Sequence, residues 1–322
     1  MTRALFATLG RWLVIAACLV PAWAAAQSFP SRPIKLIVPY PPGGNTDIVA
    51  RLYGQKLAER IGQPVIIDNR GGAAGTLGLG VAAKSPNDGY TVTIGDLGSL
   101  VIAKFANPNV TYDPQKDFAP VGLVSAVSIV VTANPKSPAN TIGEFIALAR
   151  AQPGKLTYGS SGVGAPGHLA FELLRSMTKI DIVHVPCKGG AQAATALIGE
   201  QIDVLADGAA FGQVKAGRLK ALAVTGPRLP ALPDVPGIGE SVPGFSFTNW
   251  WGILAPAGTP PEAIGRLSNE LRQIAALPET GERLNGLGLA AQGSTPREFA
   301  DHIRAETEKV GRIVREAGIK FE

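Results

Sequence analysis

The chain has 322 residues, of which 46% are hydrophobic and 17% charged, and its formal net charge is +5. A chain of this length exceeds what one hydrophobic core usually serves, so two lobes are expected. The basic residues are spread along the chain and form no run with interleaved aromatic residues, which argues against a nucleic-acid partner. A mild positive field favours small anions instead.

The first 26 residues have the pattern of an export signal. Arg3 and Arg11 flank an otherwise uncharged start, an apolar run follows, and three consecutive alanines ending at Ala26 fit the small-residue rule for signal-peptidase cleavage. We therefore expect a signal peptide over 1–26, cleavage after Ala26 and a periplasmic protein. A lipoprotein box that leaves Cys18 as a lipidated N-terminus is the alternative. Cleavage after Ala26 leaves Cys187 as the single cysteine, which excludes an internal disulfide.

Short apolar runs then alternate with helical patterns. The run 34–38 indicates a strand, and the apolar spacing over 47–61 indicates an amphipathic helix that ends before Gly62. Further strands are predicted at 65–67, 90–94, 129–132, 156–159, 182–185, 202–206 and 219–224, and further helices at 75–83, 142–151, 168–177, 191–198, 261–276 and 296–317. This alternation predicts an α/β fold with parallel sheets covered by helices.

Two stretches rich in Pro or Gly, 134–138 and 230–244, are predicted to lie where the chain passes between lobes. Lobe 1 then comprises 27–127 and 248–322, and lobe 2 comprises 128–247. A cleft between two hinged α/β lobes is a natural ligand site.

The turn after the first strand is a candidate anion site. Its glycines let the backbone approach a ligand, a polar residue can cap the following helix, and free N–H groups at a helix start attract anions. An ordinary capped turn explains the same residues equally well, and Tyr40 either forms a ring wall of the pocket or packs against the preceding strand. The candidate ligand-binding residues here are Tyr40, Pro42, Gly43, Gly44, Asn45, Thr46 and Asp47.

A second loop, 159–168, repeats this arrangement, and Ser160, Ser161, Gly164 and His168 are its candidate ligand-binding residues. A plain flexible Gly/Ser turn is the alternative. The loop matches the G-x-G-x-x-G spacing, but the next strand ends without the acid that would hold a ribose, so a dinucleotide site is poorly supported.

The chain also offers candidates at two further strand ends. Lys188 and Gly189 precede the Ala-rich helix, and Asp207 ends a buried-looking strand, where it can accept a hydrogen bond from a ligand or cap the turn. Ligands of α/β sheets bind near such strand ends. A lysine beside a turn is more often solvated, and Cys187 is expected to be a small packed residue.

Catalytic and metal chemistry are weakly supported. Neither serine of the second loop has the Gly-x-Ser-x-Gly spacing of a nucleophile elbow, although a secreted hydrolase using Ser160 or Ser161 with His168 remains the alternative function. The single mature cysteine and the absence of paired ligands at metal spacing argue against a metal site. We expect no cofactor and no enzymatic activity.

The ordered set of motifs resembles the Bug family, the extracytoplasmic solute receptors of tripartite tricarboxylate transporters. The matching segments are YPPGGNTDIVAR at 40–51, DNR at 68–70, SPNDGYT at 85–91, GSSGVGAPGH at 159–168, HVPCKG at 184–189, LPDVP at 232–236 and APAGTPP at 255–261. The resemblance covers most of the mature chain.

The resemblance implies a type II periplasmic-binding-protein fold that closes around its ligand like a Venus flytrap. It also implies carboxylate binding through the two Gly-rich loops and a membrane permease of one large and one small subunit. We expect the receptor to be a monomer. A receptor that reports to a sensor kinase would share the pocket. The chain departs from the family pattern at Gly71, Cys187 and Glu200, so the identity of the ligand cannot be taken from a relative. The ligand can be a di- or tricarboxylate, an amino acid or an aromatic acid. We expect an aliphatic acid.

Overall fold

The computed structural model describes residues 29–321. The predicted signal peptide and its cleavage site lie outside these residues. Between 29 and 321 no helix has the length and apolar character needed to cross a membrane.

Strands and helices alternate along most of the chain. The strands are β1 (Ile34–Val38), β2 (Val65–Asn69), β3 (Thr91–Asp96), β4 (Phe118–Ser128), β5 (Val130–Ala133), β6 (Thr157–Ser160), β7 (Val183–Pro186), β8 (Val204–Ala206), β9 (Lys220–Val224), β10 (Thr248–Pro256) and β11 (Ala290–Ala291). The helices are α1 (Asn45–Ile61), α2 (Thr76–Ala83), α3 (Ala103–Ala106), α4 (Ile142–Ala151), α5 (Pro166–Thr178), α6 (Gly190–Ile198), α7 (Ala210–Lys215), α8 (Ile238–Ser241), α9 (Pro261–Ala275), α10 (Pro278–Asn285) and α11 (Pro296–Ala317), with a 3₁₀ turn at Ala73–Gly75 and a π-helical turn at Gly98–Ile102.

The strands form two sheets, which confirms the α/β class. The first sheet has the order β11-β4-β10-β3-β1-β2, and the second has the order β7-β6-β8-β5-β9. Helix α1 packs on β1 and β2, whereas α5 packs on β6 and β8. Each predicted strand and helix overlaps an observed one, because each carries a local apolar pattern that needs no distant partner to be recognised.

The sheets are mixed rather than parallel, which corrects the predicted arrangement. In the first sheet β10 runs antiparallel to both β3 and β4, and in the second β5 runs antiparallel to β8 and β9. Strand β4 was not predicted because Pro120 and Gly122 interrupt its apolar run, and proline is confined to edges and bulges of sheets. The register shifts there, with Leu254 opposite Pro120 and Ile253 opposite Gly122, so one extra residue of β4 forms a bulge.

The chain passes between the sheets at strand junctions. Only Ile129 separates β4 from β5, and it exchanges hydrogen bonds of 2.9 Å with Thr225 in both directions. The return passage lies beside it, since Phe247 donates to the carbonyl of Thr225 at 2.8 Å just before β10. The predicted passage at 134–138 is therefore wrong: that segment follows β5 within the second sheet. The prolines of 134–138 mark a turn. The chain crosses between the sheets in an extended conformation at Ile129, where no turn is needed.

A shared hydrophobic core joins the two sheets through the last helix. Helix α11 packs on β4 and on α5, and its buried residues Phe299, Ile303 and Val310 lie in one cluster with Tyr158 and Phe171 of the second lobe. The spacing of these three residues places them on one face of the helix. The C-terminal helix therefore contacts both lobes.

Candidate functional site

A cleft with a volume of about 840 Å³ lies between the two sheets. From the first sheet it is lined by the β1–α1 turn, and from the second by the β6–α5 loop and the end of β8. Ile129, Phe211, Leu229 and Leu287 form an apolar part of its wall. This size is within the usual range for small-molecule sites.

Helix α1 begins at the cleft without a side-chain cap. Its N-cap residue is Gly44, which makes no side-chain hydrogen bond, and Gly44, Asn45 and Thr46 line the cleft. The first N–H groups of a helix have no partner within the helix. Because no side chain caps them, these donors and the partial positive charge of the helix end are available to a ligand.

Asp47 supports this turn from behind and does not reach the cleft, which differs from its predicted role. The residue is 3% exposed, and its carboxylate accepts hydrogen bonds from the Gly43 amide, from Arg51 Nε and from Asn69 Nδ2, each at 2.9 Å. Burial by itself raises the pKa of the Asp47 carboxyl, but the bonds from Arg51, Gly43 and Asn69 outweigh it and hold that pKa below its ordinary value. Asp47 therefore remains ionised and fixes the turn.

Tyr40 lines the cleft with Asp96, a residue that the sequence did not single out. The Tyr40 hydroxyl lies 3.0 Å from Asp96 Oδ1, which also accepts from the amide and the hydroxyl of Ser99. Burial raises the pKa of the Asp96 carboxyl, although its hydrogen bonds act against that shift. The hydrogen bond to Asp96 thus fixes the Tyr40 side chain in the lining of the cleft.

The second loop also ends at an uncapped helix. The N-cap residue of α5 is Ala165, which has no side-chain cap bond, and Ala165, Pro166 and Gly167 line the cleft together with Ser161 and Gly164. This start repeats that of α1 on the opposite side, except that Pro166, the first helical residue of α5, has no N–H to donate.

Ser160 and His168 lie behind this loop and not in the cleft lining, contrary to their predicted roles. Ser160 is fully buried; its Oγ lies 2.7 Å from His184 Nε2 and donates to the Gly162 carbonyl at 2.9 Å. His168, 5% exposed, accepts a hydrogen bond from the Gly164 amide on Nδ1 at 3.0 Å. The Gly164 amide is thus occupied by protein and not free for a ligand, although Gly164 itself lines the cleft.

The two histidines form a stacked pair. The ring centroids of His168 and His184 are 4.0 Å apart with an interplanar angle of 9°, and the Tyr158 ring also stacks with His184, at a centroid distance of 4.8 Å. Burial lowers the pKa of both histidines to about 4, with a further contribution from the charge of Arg175. Both rings are therefore neutral at pH 7.

Of the three remaining candidates, one lines the cleft and two do not. Asp207 lines the cleft, where its Oδ1 accepts from the Ala209 amide at 2.9 Å and so caps the turn. Lys188 is exposed and its amide donates to Gln192 Oε1 at 2.6 Å, while Gly189 is the N-cap of α6. Neither Lys188 nor Gly189 lines the cleft.

Eight of the fourteen predicted residues therefore line the cleft: Tyr40, Pro42, Gly44, Asn45, Thr46, Ser161, Gly164 and Asp207. The other six lie outside the lining: Gly43, Asp47, Ser160, His168, Lys188 and Gly189. Within the described chain the lining contains no lysine, arginine or histidine; its acidic side chains are Asp96 and Asp207.

Several lining residues escaped prediction. Asp96 follows a predicted strand and could have been found from the rule that ligands bind at strand ends. Asn249, Trp251 and Gly288 carry no local signal, because they reach the cleft through pairings with distant parts of the chain. The Trp251 indole, for instance, donates to Thr46 Oγ1 at 2.9 Å across 205 residues.

The arrangement offers little for nucleophilic or metal chemistry in the part of the chain that is described. Ser160 contacts a histidine but is fully buried, and Ser161 reaches the cleft but makes no hydrogen bond to a described histidine. No group of three His, Cys, Asp or Glu side chains among residues 29–321 could hold a metal ion. What the cleft does present is a set of backbone and hydroxyl donors.

A family model described as "Tripartite tricarboxylate transporter family receptor" matches residues 49–319. Three solved structures are similar over nearly the whole chain. The periplasmic binding protein BugD is 31% identical with a TM-score of 0.75, and the similarity covers 91% of this chain and 99% of that one.

The other two structures come from Rhodopseudomonas palustris. Rpa4515 with adipate is 34% identical with a TM-score of 0.79, covering 90% of this chain and 99% of that one. MatC with bound malate is 31% identical with a TM-score of 0.74, covering 89% of this chain and 100% of that one. The family match, the mixed two-sheet fold and the cleft agree, and the chain therefore belongs to the tripartite tricarboxylate transporter receptors, the Bug family of periplasmic solute-binding proteins.

Proposed function

We propose that this chain captures a small dicarboxylate in the cleft between its two sheets and delivers it to a tripartite transporter. The observation that carries the proposal is that α1 and α5, which pack on different sheets, both begin at the same cleft without a side-chain cap. Helix starts attract anions through free N–H groups and through the helix dipole. A ligand with a negative charge at each end suits two such helix starts.

The lining favours neutral donors over charged ones. In the described residues it holds no basic side chain, so the ligand charge would be balanced by the amides of α1 and α5, by the hydroxyl of Ser161 and by the side-chain amides of Asn45 and Asn249. Ordered water can bridge the remaining distance at modest entropic cost. The carboxylate groups of Asp96 and Asp207 would disfavour a ligand with excess negative charge nearby.

An aliphatic dicarboxylate suits this lining best. Adipate and malate, the ligands in the two Rhodopseudomonas palustris structures, are both dicarboxylates. In this chain Ile129, Phe211 and Leu229 would cover the methylene groups between the two carboxylates. The eight predicted residues that line the cleft are proposed as direct contacts, while Gly43, Asp47, Ser160 and His168 would act from behind them.

The setting of this function follows from the export pattern and the family. We place the mature chain in the periplasm after cleavage behind Ala26, as a monomer that docks on the large and small permease subunits. Ligand contacts with both lobes would favour the closed state, and we propose that this state is the one delivered. No turnover is expected at any step.

The first test is a thermal-shift screen of the mature protein, refolded after removal of bound ligand. Ligand that binds only the native state stabilises it by about 2.7 kcal/mol at a hundredfold excess over Kd. We expect selective rises in Tm with adipate or malate over glutamate, citrate and benzoate. A rise with benzoate or glutamate alone would reassign the ligand class, and no rise with any acid would contradict carboxylate capture.

A substitution in the second loop tests the site itself. Ser161→Trp would fill the cleft beside α5 and should raise the Kd for the best ligand by roughly tenfold or more, the equivalent of about 1.4 kcal/mol. Ser241→Trp, at an exposed serine outside the lining, is the matched control and should bind normally. Equal affinities of the two variants in calorimetry would remove Ser161 from the site.

The hydrolase alternative is tested with alanine variants of the second loop. Turnover of an activated ester by the wild type, lost in Ser161→Ala or Ser160→Ala, would replace the receptor proposal. We expect the rate to equal that of the buffer.

A further inference from the structure

Three helices begin with the same hydrogen bond. In each, the side chain of the third helical residue accepts from the backbone N–H of the residue just before the N-cap. The donor and acceptor atoms are Gly43 N and Asp47 Oδ2 at 2.9 Å in α1, Gly164 N and His168 Nδ1 at 3.0 Å in α5, and Lys188 N and Gln192 Oε1 at 2.6 Å in α6.

Unlike ordinary capping, this hydrogen bond leaves the N–H groups of the first helical turn free. An N-cap side chain usually accepts from the first-turn N–H groups, but Gly44, Ala165 and Gly189 have no side-chain acceptor to offer. The third residue instead reaches backwards and fixes the turn ahead of the helix. The first-turn donors of α1 and α5 are thereby left for the cleft.

The turns that are fixed need such support because they are unusual. Gly43 has φ +91° and Gly164 has φ +78°, values in the left-handed region that glycine adopts without a steric penalty and with large conformational freedom. A hydrogen bond to the glycine amide selects one orientation of the peptide plane. That orientation decides where the next N–H groups point.

Both acceptors are themselves held rigidly. Asp47 is fixed by Arg51 and Asn69. His168 is fixed by its 4.0 Å stack on His184, whose Nε2 is 2.7 Å from Ser160 Oγ in the same loop. His168 can accept at Nδ1 only when that nitrogen carries no proton, and burial keeps the ring neutral by lowering its pKa to about 4.

We infer that Asp47 and His168 are positioning residues: each fixes the turn ahead of its helix so that the first-turn amides of α1 and α5 face the ligand, with His184 holding His168 in place. The inference rests on the proposed carboxylate site. It assigns two buried side chains outside the cleft lining to ligand affinity.

The test compares two replacements of His168 of similar size. His168→Asn keeps an acceptor near the position of Nδ1, whereas His168→Leu fills the space without one. Calorimetry with adipate and with malate should show a Kd near the wild-type value for His168→Asn. For His168→Leu the Kd should be roughly tenfold higher, which corresponds to the loss of about one hydrogen bond. If packing alone mattered, the leucine variant would bind at least as well as the asparagine variant, and the inference would fail.

A matched control uses the third helix. Gln192→Ala removes the equivalent bond at α6, whose N-cap Gly189 does not line the cleft, and should leave the Kd unchanged. A loss equal to that of His168→Leu would show a general effect of loosened helix starts and overturn the inference. Absence of wild-type binding to both acids would instead contradict the proposed function.

A second readout does not depend on affinity. In protein without added ligand, hydrogen exchange of the Gly164 amide should be faster in His168→Leu than in the wild type. In His168→Asn it should stay near the wild-type rate, because only leucine leaves the amide without an acceptor. Equal exchange in all three proteins would show that His168 does not hold this amide.

Discussion

Thr46 connects the first helix to the strand that returns from the second lobe. Its hydroxyl oxygen accepts from the Trp251 indole at 2.9 Å, and both side chains are buried. The contact therefore fixes the start of α1 against β10, at the edge of the cleft.

Thr46→Val should destabilise the fold, because it leaves the buried indole N–H without an acceptor. The expected loss in the free energy of unfolding is about 1–3 kcal/mol, measured by urea denaturation. Thr46→Ser keeps the hydroxyl and should lie much closer to the wild type. Equal midpoints for valine and serine would mean that water reaches the indole instead.

The histidine pair predicts how stability depends on pH. Both rings have a pKa of about 4 in the folded chain, against 6.5 when unperturbed, and they are surrounded by Tyr158, Glu172 and Arg175. Between pH 6.5 and 4 the unfolded chain binds more protons than the folded chain, so stability falls as the pH is lowered. Carboxylates with lowered pKa values contribute in the same direction at the acid end.

The contribution of the pair is isolated by comparison with His168→Asn. Denaturant unfolding at intervals from pH 7 to 4.5 should show a smaller loss of stability in the variant, which has one fewer group to titrate. Parallel curves for the two proteins would show that the His168 ring is not held neutral.

At the scale of elements, one helical glycine has no room for a side chain, whereas another has space for one. In α5 a Cβ at Gly167 would lie 1.7 Å from the backbone carbonyl of Ala206, so the helix approaches β8 as closely as it does only because this residue is glycine. In α9 a Cβ at Gly265 would meet nothing within 4 Å.

Gly167→Ala should therefore separate α5 from β8 and destabilise the protein by about 1–3 kcal/mol or more, as overpacking does. Because the same helix start lines the cleft, the Kd for adipate should rise as well. Thermal unfolding and calorimetry on one preparation measure both effects; a wild-type Tm would show that the backbone relaxes without strain.

Gly265→Ala should do the reverse. The position is exposed and lies inside a 15-residue helix, where alanine is favoured over glycine by about 0.5–1 kcal/mol. A higher urea midpoint with unchanged ligand affinity is expected. A lower midpoint would indicate that the alanine methyl group meets a neighbour at this position.

At the scale of the whole molecule, two adjacent chain crossings join the lobes at Ile129 and Phe247, while α11 packs on both. Hinge closure absorbs its change at a few such residues. Since the proposed ligand contacts helix starts from both lobes, binding should favour the closed form.

Small-angle scattering tests this closure. Saturating adipate should reduce the radius of gyration of the wild type and leave that of Ser161→Trp unchanged at the same concentration. Calorimetry confirms that the wild type is saturated with adipate. If its radius of gyration is then unchanged, the lobes are already closed without ligand.

Local patterns in the sequence predicted much of this molecule. The order of strands and helices, the two Gly-rich turns before α1 and α5 and the resemblance to the Bug family all depend on residues close together in the chain. The helices were recognisable because their apolar spacing is local, and the turns because glycine and proline restrict or free the backbone locally. Eight of the fourteen predicted site residues line the cleft for the same reason.

Tertiary structure alone decided the rest. The antiparallel pairing of β10 with β4 joins segments more than a hundred residues apart, and the bulge that admits Pro120 exists only in that pairing. Asp47 and His168 lie in the predicted turns, yet each points back to a glycine amide, while Trp251 reaches the cleft without any local signal. The direction of a side chain is set by its partners, and here those partners lie far away in sequence, as with Thr46 and Trp251, or depend on the conformation of a turn.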